Sequence, residues 1–129
     1  MLMRLAVLFG ALVAVSLGPP CPAADSWRAG VAKAKITPAA PMWMAGYGSR
    51  NHPATGLLND LWARALVLED PRGTRVAIVA LDLVGIGLDV AQPLGASLAS
   101  KYGLERSHVA WCCSHTHSGP AIGHNLHVL

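Results

Sequence analysis

The sequence predicts an α/β fold: a mixed sheet with one antiparallel hairpin and one βαβ unit. Three observations carry that prediction. Short apolar runs bounded by Gly, Pro, Asn and Asp read as strands. The turn chemistry of Asp70-Pro71-Arg72-Gly73 joins two of these runs. A stretch of helical period over residues 88–102 separates two others.

Residues 1–24 read as a secretory signal peptide, not as part of the fold. Met1 to Arg4 is a short basic start, and Leu5 to Leu17 is continuously apolar. Gly18-Pro19-Pro20 breaks that run before Cys21-Pro22-Ala23-Ala24, with cleavage expected after Ala23 or Ala24. The apolar core is shorter than the about 20 residues of a membrane span. Pro20 occupies the position where lipid attachment at Cys21 wants a small residue, which argues against a lipoprotein. The expected destination is secreted, periplasmic or cell-surface.

Removing the leader leaves about 105 residues, 25–129, enough for one small domain. The mean hydropathy of +0.41 is inflated by the leader. The net charge of +3 falls to about +2 without Arg4, and the remaining basic residues are scattered. This excludes a nucleic-acid footprint, which clusters Lys and Arg on one face. It gives no sign of attraction to an anionic membrane surface.

In chain order, residues 29–38 alternate weakly and form an opening strand stopped by Pro38. Residues 38–55, rich in Pro, Gly, Asn and Ser, form a long ordered loop of the kind that often carries function. Residues 61–69 are the second strand and 75–83 the third, paired as the hairpin. The third is apolar on both faces apart from Asp82, which places it centrally in its sheet. In the helix, Leu94, Leu98 and Tyr102 recur on one face, and Gly103 suits a C-terminal cap. Pro93 points to a helix start near itself. Residues 107–114 are the fourth strand, closing the βαβ unit by a right-handed crossover.

That strand runs into His115-Thr116-His117-Ser118-Gly119-Pro120. If extended backbone persists through Thr116, His115 and His117 project side by side, as two ligands of one metal must. Gly119-Pro120 then stops the strand, leaving the pair at its C-terminal mouth, where α/β folds bind ligands. Cys112 and Cys113 are adjacent, so a disulfide between them needs a strained turn. They read as small apolar core residues.

Five blocks carry a more specific signal. Residues 29–38 (Ala-Gly-Val-Ala-Lys-Ala-Lys-Ile-Thr-Pro), 44–50 (Met-Ala-Gly-Tyr-Gly-Ser-Arg), 61–69, 80–85 (Ala-Leu-Asp-Leu-Val-Gly) and 115–120 occur in that order. Together they resemble the N-terminal catalytic region of the neutral/alkaline, non-lysosomal ceramidases. The resemblance implies a zinc-dependent amidohydrolase that cleaves N-acylsphingosine to sphingosine and a fatty acid. It makes His115 and His117 candidate zinc ligands, His115 the stronger if only one coordinates directly. A ceramide-like lipid amide is the implied substrate, with peripheral contact to a membrane surface. Oligomeric state is left open.

The family's further His, Glu and Tyr ligands lie downstream in full-length members. The chain is therefore expected to be an N-terminal portion, with a sheet incomplete relative to the full catalytic domain. The alternatives are a non-catalytic remnant with a partial metal site, or a member acting on another amide or ester. Other His-x-His sites fit less well: Gly119 stands where the metallo-β-lactamase pattern has Asp, and a barrel amidohydrolase carries its pair on the first strand.

Several residues keep two readings each. Asp82 either orients a ligand histidine or caps the turn after its strand. Arg50 either contacts substrate at the mouth of the site or is a solvated loop residue, and His52 shares its loop. Met42, Trp43 and Met44 either rim a lipid site or pack in the core, the simpler account. His124 and His127 share a helical face or are coincidental.

Overall fold

The computed structural model describes residues 26–124. The signal peptide read over residues 1–24, and His127, lie outside them. Within them a single four-stranded sheet runs in the order β1-β2-β3-β4. Its strands are β1 (Arg28–Lys35), β2 (Trp62–Glu69), β3 (Arg75–Leu81) and β4 (Val109–Cys113). β1 and β2 pair antiparallel, as do β2 and β3, whereas β3 and β4 are parallel. The mixed sheet, the hairpin and the βαβ unit are all present, with β3 in the interior.

The hairpin turn follows from Asp70. Its carboxylate accepts the backbone N–H groups of Arg72 and Thr74, both at 2.8 Å. The Gly73 N–H donates to the Asp70 carbonyl at 2.9 Å, with Gly73 at φ +86°, a conformation only glycine adopts cheaply. These bonds set the register that runs from Glu69↔Arg75 to Ala63↔Leu81.

α1 (Leu88–Tyr102) has the expected bounds and ends at Gly103 in the left-handed region, φ +64°. The Gly103 N–H donates to the Ala99 carbonyl, and the Arg75 guanidinium donates to the Tyr102 carbonyl at 2.7 Å. The last turn is thus tied to β3. The start is at Leu88, as the helical period gives it, and the alternative boundary near Pro93 is not used. The helix opens five residues before Pro93, because the N–H groups of Val90 and Ala91 close a first turn on the Gly87 carbonyl. The missing N–H of Pro93 costs a single bond inside a helix already nucleated. The predicted face is not the buried one either: Ala91 is buried, whereas Leu94 and Tyr102 are exposed.

The two faces of the sheet differ. Residues paired in register share a face. The face holding Ala77 and Leu81 is covered, with both residues buried. The other holds Val31, Leu66, Ile78 and Ala110 and stands largely open; Val31 is 82% exposed. Fully burying a valine is worth about 1.5 kcal/mol or more, a gain β1 does not collect here. Cys112 lies on the open face and is exposed, and Cys113 is half-buried on the covered one, so neither is the core residue expected. Both are free thiols, and burial pushes that of Cys113 up. No helix among the described residues is long and apolar enough to cross a membrane.

The two backbone bonds, that of Thr74 foremost, hold the Asp70 carboxyl below its ordinary range. A depressed carboxylate stabilises the fold above the usual carboxylate pKa, about 4, and that contribution vanishes as pH falls through and below it. Asp70→Asn is therefore expected to lower stability at pH 7 and to match the wild type near pH 2. Urea denaturation at a series of pH values measures this.

Candidate functional site

β3 and β4 are parallel, so their C-terminal ends lie side by side, with Leu81 opposite Cys113. The Ser114 N–H extends the pairing to the Leu81 carbonyl at 2.9 Å. Beyond that point the extended backbone stops. His115 takes φ +58°, in the left-handed region unfavourable to residues with a Cβ, and a turn follows at His117 and Ser118. The strand alternation expected to align the two histidines is therefore absent. Their rings meet by another route: the kink at His115 brings them together edge-to-face, 5.2 Å between centroids.

Each ring is held separately. His115 Nδ1 lies 2.8 Å from the carbonyl oxygen of Val84, in the segment that leaves β3. A carbonyl can only accept, so Nδ1 carries the proton, and in the neutral imidazole Nε2 keeps its lone pair. That is the arrangement in which a histidine is presented to a metal, with its other nitrogen anchored. His117 packs edge-to-face against Tyr47, with ring centroids 5.0 Å apart.

Tyr47 reaches His117 because the long loop is stitched to the histidine segment. The Ala45 N–H donates to the Gly119 carbonyl at 3.0 Å and the Ala121 N–H to the Trp43 carbonyl at 2.8 Å, around an antiparallel bridge between Met44 and Pro120. Ala45 is completely buried at this seam. Gly46 follows at φ +107°, where a Cβ would stand 2.6 Å from the Cβ of His117 and overlap its ring. Only glycine fits there.

Arg50 lies beside the pair. Its guanidinium donates to the Ala45 carbonyl at 3.3 Å and the His117 carbonyl at 3.5 Å, and sits over the Tyr47 ring at 5.3 Å. Asp82 takes neither of its expected roles. Its carboxylate accepts the Trp62 N–H at 2.9 Å and the Arg64 guanidinium at 3.1 Å, fastening the end of β3 to the start of β2. His52 donates to the Pro53 carbonyl at the surface, and the His124 N–H donates to Asp89. Val84, Gly46 and Tyr47 are the contributors that sequence reasoning missed. All three lie inside blocks it had singled out, but a carbonyl acceptor leaves no mark on residue type.

A cavity of about 590 Å³ adjoins the segment, lined by Met42, Met44, Leu57, Leu61, Thr116 and Ser118 among others. The histidine rings do not line it, whereas Thr116 between them and Ser118 after them do. Met42 and Trp43 are substantially exposed, so packing in the core does not account for them.

The pair suits one metal ion. Zn–N distances are about 2.0–2.1 Å, which with about 1.1 Å from nitrogen to ring centre puts two tetrahedral imidazole ligands about 5 Å apart. His115 and His117 match that spacing at 5.2 Å. Among the described residues, no group of three or more His, Cys, Asp or Glu comes together to complete a metal site. The pair therefore does not by itself make a complete metal site among the described residues.

Residues 27–129 match the family model described as "Neutral/alkaline non-lysosomal ceramidase, N-terminal". The chain is 37% identical over 113 residues to a neutral ceramidase of Pseudomonas aeruginosa, covering 84% of this chain and 17% of that protein. It is 32% identical over 126 residues to a neutral ceramidase of Drosophila pseudoobscura pseudoobscura, covering 95% of this chain and 18% of that one. A crystal structure of the Pseudomonas aeruginosa enzyme superposes with a TM-score of 0.67 at 38% identity, over 74% of this chain and 16% of that chain. A structure titled as ceramidase complexed with C2 gives 0.68 at 37% identity, over 74% and 15%. The chain thus spans less than a fifth of the length of these relatives.

The Gly46 contact yields a direct test. Gly46→Ala is expected to destabilise the fold by about 1–3 kcal/mol, from a strained φ and a forced shift of His117. Chemical denaturation reads the first effect, and displaced His117 ring resonances in NMR spectra read the second.

Proposed function

Because the chain belongs to the neutral/alkaline non-lysosomal ceramidase family, we propose that it supplies the opening part of a zinc-dependent hydrolase of N-acylsphingosine amides. In this reading His115 and His117 hold zinc, and the remaining ligands come from sequence that the relatives have beyond the matched portion. The observation that carries it is the paired imidazoles at the mouth of β3 and β4, with His115 Nδ1 anchored on Val84.

When bound, zinc supplies Lewis-acid chemistry, activating water and polarising the amide carbonyl. The chain's own residues prepare for it. The Val84 carbonyl holds His115 in the tautomer that leaves Nε2 available. Tyr47 limits the rotation of His117. Met42, Met44 and Leu57 give the adjoining cavity an apolar wall suited to a lipid chain. The apolar leader supports export, and a lipid substrate supports contact with a membrane surface.

Two imidazoles begin a catalytic zinc site, which usually has three protein ligands and an open position. The 129-residue chain alone is therefore expected to bind Zn²⁺ with a Kd of about 10 μM or weaker. His115→Ala and His117→Ala should each weaken binding at least about tenfold, by titration calorimetry. Unchanged binding in both variants would exclude the pair as ligands. The same chain, zinc-loaded, is expected to show no measurable ceramide turnover. Robust turnover that disappears in His115→Ala would contradict the half-site.

A further inference from the structure

We infer that Arg50 is a positioning residue for His117, not a contact for substrate. The inference rests on the metal-site reading of His117 given above, and it assigns the side chain that sets how that histidine is presented.

The geometry converges on one guanidinium. One terminal nitrogen reaches the Ala45 carbonyl at 3.3 Å and the other the His117 carbonyl at 3.5 Å. Its central carbon lies over the Tyr47 ring at 5.3 Å, and that ring abuts the His117 ring at 5.0 Å. Arg50 therefore holds His117 twice, directly through its backbone and indirectly through Tyr47. It also closes its own loop, since its N–H donates to the Tyr47 carbonyl at 3.1 Å.

The alternative, a free cation aimed at substrate, fits poorly. Each terminal nitrogen already reaches a carbonyl oxygen of the site's own backbone, and the guanidinium carbon stands over an aromatic ring. No carboxylate forms an ion pair with Arg50 among the described residues, so its side chain is tied to these carbonyls and this ring, not to a counter-ion. A planar fork can span two carbonyls while lying on a ring, whereas the single ammonium of lysine cannot do all three.

The test compares Arg50→Ala and Arg50→Lys with the wild-type 129-residue chain, first without metal and then with Zn²⁺. Without metal, NMR spectra read the ring-current shifts that Tyr47 and His117 impose on each other's ring protons. These shifts should collapse in Arg50→Ala and return in part in Arg50→Lys, which keeps a cation over Tyr47. With metal, zinc affinity should fall about tenfold in Arg50→Ala and less in Arg50→Lys. Wild-type ring shifts and wild-type affinity in Arg50→Ala would overturn the inference. If Arg50→Ala fails to fold, Arg50→Lys decides alone: wild-type shifts and affinity overturn the inference, and partial loss of both supports it. If the wild-type chain binds no zinc, the metal-site reading fails, while the metal-free shifts still report whether Arg50 holds His117.

Discussion

The parallel pairing of β3 with β4 is the constraint on which the rest of the site depends. It is the one parallel pairing in the sheet, and α1 provides the crossover connection it needs. Once Leu81 stands opposite Cys113, the segments leaving the two strands must travel together. The Val84 carbonyl and the His115 imidazole then fall within hydrogen-bond reach. A slip of one residue in that register would reverse the faces of β4 and carry His115 away from its anchor. The ties from Arg75 to the end of α1 and from Asp82 to β2 hold both ends of β3 in place.

The second half of the arrangement is supplied by a loop, and it works through backbone as much as side chains. Two hydrogen bonds and the Met44–Pro120 bridge join the loop to the histidine segment. Gly46 permits the close approach, Tyr47 fills the space beside His117, and Arg50 locks the loop on itself. The two histidines thus belong to different mechanical units, His115 to the parallel strands and His117 to the loop. Their meeting at 5.2 Å is the product of both. The open sheet face around Val31 and Ile78 plays no part in this and is an apolar surface of the kind that invites association.

Much of this was legible in the sequence. Strand β3 was recognisable by its apolar character, the hairpin by Asp70 to Gly73, and the helix end by Gly103. Those features depend on local chemistry, which the residues state outright. The helix start at Leu88 followed from the helical period. The boundary that Pro93 suggests locally is overridden, because the first turn is closed by the Gly87 carbonyl, which any residue could supply. The histidine pair was found for a reason that does not hold: period-two alternation requires extended backbone, and His115 is left-handed. Asp82 looked like a partner for histidine because it is a lone acid in an apolar run, but tertiary pairing gives it to Trp62 and Arg64. Val84 could not have been found by residue type, because its contribution is a carbonyl.

The central claim is that this chain presents His115 to a metal through Nε2, with Nδ1 held by Val84. Long-range ¹H–¹⁵N correlation spectra of the histidine rings test it most directly. In metal-free protein at neutral to mildly alkaline pH, the account predicts that His115 is protonated on Nδ1 and bare on Nε2. It predicts that adding Zn²⁺ moves the Nε2 resonance of His115 together with a ring nitrogen of His117. A His115 protonated on Nε2, or a zinc titration that leaves both rings unmoved, would contradict it.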